Sequence, residues 1–347
     1  MPAVVANNFN YGVQPVMPPP PYLTDLACGV KSGPSTGARE RVDTLYHSDS
    51  LYAAVTHALE LLGHPLEGWL DATARNPEGS AVRFSSVYPL FAEHLLVVPP
   101  RNAWPPAPSA KVRWKGARYV PTALISGLLS GAPVDDDQWT VDGASECVVP
   151  AGQGGPFRRA VRSSAAVDRL NGNTLPHSEA CIEFQSGGGV WFVAGFATDG
   201  AREQWEAPIQ AAVRLLADSG FGGGRSRGWG RAASPAFASG ELNTLLFENM
   251  PAAESSDQHW LLSLYSPAES DPVDWSKGSY VTVERGGWVE GSAAQKKRVR
   301  MIEEGSVLSA AGVLAGKAPD VAPEGFAHPV YRAGFALSIA LPAGGAQ

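Results

Sequence analysis

Apolar residues recur at helical spacing in two stretches of this chain. In the first, Leu51, Val55, Leu59 and Leu62 share a face, with Ser48 as the N-cap, Asp49 in the first turn and Gly63 as the stop. In the second, Trp205, Ile209, Val213 and Leu216 share a face of Glu203–Asp218, and Gly220 follows as a left-handed cap. Extended patterns surround them. Leu26–Lys31 reads as a short strand, Val82–Leu90 as extended, and Glu93–Pro100 as a short apolar strand. Cys181–Phe196 reads as strand, turn, strand, turning at Ser186–Gly189. Residues 1–22 end in the stiff run Pro18–Pro21 and are expected outside the core, and Gly131–Gly155 is polar and glycine-rich, a predicted surface excursion.

Strand, helix, two strand regions, helix, strand is the order of a ferredoxin-like βαββαβ unit, here with a large insertion before its third strand. Glu241–Ser276 then carries seven acids and no Lys or Arg, which marks a boundary near 238. Beyond it Trp260–Tyr265, Tyr280–Arg285, Val299–Ile302 and Tyr331–Leu341 are extended. The sequence therefore predicts an α+β fold of two tandem ferredoxin-like domains: 1–238, with a hairpin-like insertion at about 131–180, and 239–347, a degraded second copy without a visible sequence repeat.

Composition narrows the class. The chain has 347 residues, 44% hydrophobic and 18% charged, which suits a folded protein of two domains. A formal net charge of −7 excludes a globally basic nucleic-acid binder but not a local basic patch. The basic residues are 20 Arg and 7 Lys. Arg presents a planar fork suited to phosphates and bases, although a GC-rich genome gives the same bias. Cys28, Cys147 and Cys181 are far apart and odd in number, which points to a reducing compartment without a zinc site. With no signal-peptide pattern and no run of about 20 apolar residues, the expected location is the cytoplasm.

The most unusual segment is Gly220–Arg231, GFGGGRSRGWGR, six glycines and three arginines in twelve residues. Successive unobstructed N–H groups make an anion-binding nest, and arginines with Trp229 add phosphate contacts and a stacking surface. A plain flexible loop after a helix is the other reading. A P-loop is excluded because Trp229, not Lys, follows Gly228, and Gly228-Trp-Gly230 is a weak dinucleotide signal because a helix rather than a strand precedes the loop, which leaves a nucleotide-binding enzyme as the lowest-ranked reading. A second cluster, Arg158–Arg169, holds four Arg and Asp168 before the turn-like Leu170–Thr174. It is either a hairpin presenting arginines to a phosphate backbone or a solvated face.

Catalytic constellations are poor. The seven histidines show no metal-ligand spacing, no nucleophile elbow is present, and Asp135–Asp137 reads as solvated loop charge. No catalytic residue, metal or cofactor is assigned. His47, just before the first helix, either lies near a ligand or packs at the helix entry.

Taken in order, several short segments resemble the RAMP proteins of CRISPR systems, and more narrowly the handle-capping RAMP subunit of type III-A (Csm) effector complexes. The glycine-rich loop stands between the second helix and the fourth strand, as in that family. His47-Ser-Asp-Ser-Leu-Tyr52 is similar to its Ser-Asp-Thr-Leu-Phe helix opening, with Ser50 in place of Thr. Phe84-Ser-Ser-Val-Tyr-Pro89, Lys115-Gly-Ala-Arg-Tyr119, Val167-Asp-Arg169, Leu261–Pro267, Arg285-Gly-Gly-Trp288, Met301–Ser306 and Val330–Phe335 follow in family order. The Pro-rich N-terminal extension and the long Gly131–Gly155 loop depart from the pattern.

The resemblance implies an RRM-like tandem fold with a thumb-like hairpin. It also implies RNA binding without catalysis: a grip on the 5′ handle of crRNA, contact with the large polymerase-like subunit, and the start of the row of backbone RAMP subunits in an antiviral ribonucleoprotein. The candidate RNA contacts are His47 and Ser48, Arg118, then Arg159, Arg162, Asp168 and Arg169 on the insertion. In the glycine-rich loop they are Gly222, Gly223, Gly224, Arg225, Ser226, Arg227, Gly228, Trp229 and Arg231. A metal-independent RAMP endoribonuclease is the alternative, with His47 as its candidate base. Membranes and small-molecule substrates are not expected partners.

Overall fold

A computed structural model describes residues 10–15, 42–106, 114–133, 135, 137–225, 228–233, 235–247, 256–289, 292 and 294–342. Strands β1 (Asn10–Pro15), β2 (Val82–Phe84), β3 (Tyr88–Phe91), β4 (His94–Val97), β5 (Val120–Pro121), β10 (Gly188–Phe196) and β11 (Ala238–Gly240) form the first sheet. Its order is β11-β1-β10-β3-β4-β5, with β2 also paired to β10. The four neighbours β11, β1, β10 and β3 are all antiparallel. Counted as the four strands of a βαββαβ unit, they stand in the order 4-1-3-2, the ferredoxin-like arrangement predicted for the N-terminal half.

Two helices cover this sheet. Helix α1 (Ser48–Leu61) buries Leu51, Tyr52, Val55, Ala58 and Leu59, and helix α2 (Leu66–Ala72) follows it. After α3 (Thr122–Leu129) comes α4 (Asp199–Ser219), which buries Trp205, Ile209, Val213 and Leu216 and packs on α1. Thr198 caps α4 by accepting from the Ala201 N–H at 3.1 Å, and the helix runs through Pro208. Trp69 of α2 meets Trp205 of α4 edge to face at 5.0 Å between ring centres.

The second sheet contains β12 (Gln258–Leu261), β13 (Val273–Ser279), β16 (Val307–Ala310) and β19 (Ser338–Ala340), in the order β13-β16-β12-β19. In chain order this is again 4-1-3-2, read from the β19 edge, and all three pairings are antiparallel. No helix lies between these strands among the described residues, so the second copy keeps the strand order and has loops where the helices would be. Between the sheets runs α5 (Leu242–Leu246). One hydrophobic cluster spans both halves, from Leu45 and Trp191 to Trp260 and Leu341. Each large side chain buried to this degree contributes about 1.5–3 kcal/mol.

Three expectations are corrected. The first strand is Asn10–Pro15, in the middle of the first sheet between β10 and β11, so part of the first 22 residues belongs to the sheet. Leu26–Lys31, read as that strand, lies outside the described residues. Second, Gly131–Gly155 is not simply a surface excursion. It contains the hairpin β6 (Trp139–Asp142) and β7 (Cys147–Pro150), whose Cys147, Val148 and Val149 are buried, and Cys147 bridges to Tyr119. The apolar Cys-Val-Val run, rather than the surrounding glycines, decides its place. Third, His47 is the N-cap residue, in extended conformation, and Ser48 is the first helical residue, with no side-chain cap.

Candidate nucleic-acid interface

The segment leading into α1 is the hub to which the candidate groups attach. His47 is 2% exposed. Its Nδ1 lies 2.9 Å from Glu304 Oε1 and its Nε2 lies 3.0 Å from Asp43 Oδ2. Burial alone would lower the imidazole pKa, but the two carboxylates outweigh it and raise the value to about 9. The ring is therefore an imidazolium donating to both carboxylates. The same ion pairs override the cost of burial at Asp43 and Glu304 and hold both carboxyls below their usual range.

Next along the helix, the Ser48 N–H donates to Ser86 Oγ at 2.9 Å, and Ser86 donates to Glu304. The Ser48 hydroxyl oxygen accepts from the Leu264 N–H at 3.0 Å. Asp49, 4% exposed, accepts from Arg285 and from Arg332. His47 and Ser48 were expected as RNA contacts; the structure places both beneath the surface, tying the two halves together. With both ring nitrogens occupied and the ring buried, His47 presents no base to a ligand.

Arg118 lies at the rim of this hub. It donates to Thr44 Oγ1 at 3.0 Å, faces Asp43 at 3.3 Å and stands over the Tyr119 ring. Its backbone N–H donates to the Glu146 carbonyl, and the Glu146 carboxylate accepts from Arg159 at 3.0 Å. His47, Arg118 and Arg159 thus form one chain of contacts through Asp43 and Glu146.

Arg159 belongs to β8 (Phe157–Val167), which pairs with β9 (Thr174–Phe184) over eleven residue pairs to make a two-stranded hairpin. Its root is buried at Phe157, Ile182 and Phe184, while Val161, Val167 and Leu170 are exposed farther out. Arg158 and Arg162 flank Glu183, each 2.9 Å from it, and hold its carboxyl below the usual range. At the tip Asp168 accepts from the Leu170 N–H at 2.9 Å, and its backbone bonds to Asn173 and Gly172. Asp168 therefore shapes the turn, and Arg169 beside it is exposed.

The glycine-rich loop joins α4 to β11. It closes on itself: the Phe221 N–H donates to the Gly230 carbonyl at 3.2 Å, and the Gly228 N–H to the Arg225 carbonyl at 2.9 Å. Gly230 has φ +77°, and a Cβ there would stand 2.0 Å from the Phe221 oxygen, so this close approach demands glycine. Trp229 lies against Gly224, where a Cβ would meet its ring at 3.2 Å. Its indole braces the loop from within and stays half-exposed. Gly222, Gly223, Gly224 and Arg225 are half-buried, and Gly228 and Arg231 are exposed. Ser226 and Arg227 lie outside the described residues. Phe221 packs edge-on against Tyr46 at 5.4 Å, which ties the loop to the same helix entry.

Sequence reasoning missed the partners that organise this region: Asp43, Asp49, Ser86, Arg285, Glu304 and Arg332. All but Asp43 stand within segments that resemble the RAMP family, so the signal was present without its role. The acidic stretch is also mixed in character. Asp271 accepts from the Tyr265 hydroxyl and the Ala268, Ala315 and Gly316 N–H groups, which makes it a loop staple. No group of three or more His, Cys, Asp or Glu among the described residues is placed to hold a metal ion, and none of the described helices is long and apolar enough to cross a membrane.

Residues 254–341 match the family model of the CRISPR Csm4 C-terminal domain. The whole chain is similar in structure to a chain of the Csm3-Csm4 subcomplex of the type III-A CRISPR-Cas interference complex. That match has a TM-score of 0.63 at 14% identity and covers 95% of this chain and 99% of that one. A chain of the Csm1-Csm4 cassette in complex with pppApA matches with a TM-score of 0.53 at 16% identity, covering 96% and 98%. Csm4 is the component common to both assemblies. No curated protein matches the sequence. Residues 254–341 are thus similar to the Csm4 C-terminal domain, on a chain whose fold is similar to that of these structures along nearly its whole length.

Proposed function

We propose that this chain is a non-catalytic RNA-binding subunit of a type III CRISPR effector complex, which grips the 5′ handle of crRNA and bridges the large polymerase-like subunit to the backbone RAMP subunits. One observation carries the reading. An arginine-bearing hairpin of eleven residue pairs and a glycine-rich loop with flanking arginines are both anchored to the entry of α1. A single RNA strand lying there meets loop N–H groups and Arg225 and Arg231 on one side and the hairpin arginines on the other. Local clustering of arginines here, in a protein of net negative charge, suits one bound strand. The burial of His47 between two carboxylates favours binding over the endoribonuclease alternative. The Csm1-Csm4 and Csm3-Csm4 likenesses support a position between a large subunit and a backbone subunit.

The test is co-expression of the tagged chain with candidate large and backbone subunits, followed by mass spectrometry of the purified assembly and sequencing of its RNA. The purified chain is then titrated with labelled handle RNA and a scrambled control without metal. The expected result is a complex containing crRNA, preference for the handle and intact RNA after incubation. Site-specific cutting of the handle, or equal and weak binding of both RNAs, overturns the reading.

A further inference from the structure

We propose that the ribbon formed by β14 (Thr282–Arg285) and β15 (Val299–Ile302) is a second contact surface for single-stranded RNA, with Trp288 stacking on a base and Arg300 and its basic neighbours holding phosphates. This inference rests on the RNA-binding reading above and extends it into the C-terminal half, to a surface distinct from the glycine-rich loop and the β8–β9 hairpin.

The ribbon is a sheet of its own, separate from the four-stranded sheet. It is ordered beyond its ladder, since Trp288 bridges to Gln295 and the Lys296 N–H donates to the Gly287 carbonyl at 2.9 Å. Trp288 is 62% exposed, far more open than Trp275 at 39% or Tyr280 at 38%. An indole held this open on a bonded ribbon offers a stacking face that any base can use. Beside it, Lys296, Lys297, Arg298 and Arg300 place four cations within five residues. Among the described residues the acids facing them are Glu284, which pairs with Arg298 at 2.9 Å and sits opposite Arg300 in the ladder, and Asp320, close to Lys297. Among the described residues the balance there is positive, on a chain of net charge −7. Aromatic surface among basic side chains is the combination that tracks single strands, because a duplex keeps its bases stacked and out of reach of the indole.

Position supports the same conclusion. The ribbon is rooted by Arg285, whose guanidinium bonds Asp49 and Ser50 in the first turn of α1. Arg332 donates to the Gly286 carbonyl at 2.9 Å. The glycine-rich loop is tied to the same helix entry through Phe221 and Tyr46. RNA held at the loop has the ribbon as the neighbouring basic surface.

The test uses the full chain and a 5-iodouridine-substituted, labelled single-stranded RNA bearing the handle. Wild type is compared with Trp288→Ala, Trp288→Phe, Arg300→Ala and Arg225→Ala, with circular dichroism and melting to confirm folding. Trp288→Ala is expected to weaken binding roughly tenfold and Trp288→Phe much less. Arg300→Ala is expected to flatten the dependence of log affinity on log salt by about 0.7, one single-strand phosphate contact. Photocrosslinking is expected to label the peptide containing Trp288. If Trp288→Ala and Arg300→Ala bind as wild type while Arg225→Ala is weakened, the ribbon proposal falls and the loop reading stands. If the variants bind RNA normally but lose a co-purifying subunit, the ribbon is a protein interface and the proposal is overturned. Absence of RNA binding by wild type removes the functional reading itself.

Discussion

Arg285 grips Asp49 with two nitrogens, at 3.1 and 2.8 Å, across 236 residues of chain. Both side chains are buried, and Arg332 adds a second guanidinium to the same carboxylate. Asp49 is the middle residue of the Ser-Asp-Ser helix opening, so that motif acts as the clamp between the two sheets.

Asp49→Asn should therefore destabilise the protein by about 3–5 kcal/mol, because it leaves two buried guanidinium groups without their counter-charge. Chemical denaturation of wild type and variant measures this directly. A loss below about 1 kcal/mol would show that the clamp is dispensable.

The His47 imidazolium gives stability a pH dependence at the alkaline side. Its pKa rises from an ordinary 6.5 to about 9 on folding. The stabilisation is thus complete below about pH 6.5 and is lost as pH climbs through 9, with a span on the order of 3 kcal/mol. Denaturation midpoints from pH 6 to 10 should fall in wild type and change far less in His47→Gln over the same range. Parallel curves for the two proteins would remove His47 from the linkage.

Within the glycine-rich loop, position decides the outcome of an added methyl group. Gly230→Ala must displace the Phe221 carbonyl, whereas Gly228→Ala meets nothing within 4 Å and bears only the strain of its positive φ. Gly230→Ala should lower the melting temperature and weaken handle RNA more than Gly228→Ala does. Arg225→Ala and Arg231→Ala should instead leave melting unchanged and reduce the salt dependence of binding. Equal effects of the two alanines would mean that the loop closure does not shape the site.

Shortening the hairpin separates fold from grip. Ser163 and Ser178 are register partners, so replacing residues 164–177 by Asn-Gly rebuilds a two-residue turn and keeps the buried root. The variant should fold and melt as wild type but bind the handle less tightly. Loss of folding would place the outer hairpin in the core after all.

The order of the first unit was legible because Leu51–Leu62 and Trp205–Leu216 repeat at helical spacing and Val82–Leu90 and Cys181–Phe196 do not. Asn10–Pro15 was not: Asn-Tyr-Gly-Val-Gln-Pro has little strand signal of its own, and its place follows from pairing with β10 and β11. The candidate site was legible as local clusters, the glycine loop and the arginines of β8. Its organising contacts, such as His47 with Glu304 or Ser48 with Leu264, join positions more than 200 residues apart, and no local pattern encodes them. Ser48 shows the limit most clearly, since a serine before a helix signals a cap in nearly any chain, and here its oxygen serves the Leu264 N–H in a distant loop.

The β8–β9 hairpin is also a ruler with a coarse scale. Eleven extended residues reach about 36 Å, and each residue adds about 3.3 Å while sending its side chain to the opposite face. The reach can therefore be reset, with the face that carries Arg158 and Arg162 kept in register, only in increments of two residues per strand, about 7 Å at a time. A single-residue insertion in each strand above Arg162 would move the tip by half that distance and turn everything beyond it over. Homologous hairpins that grip at different distances should differ in length by even numbers per strand.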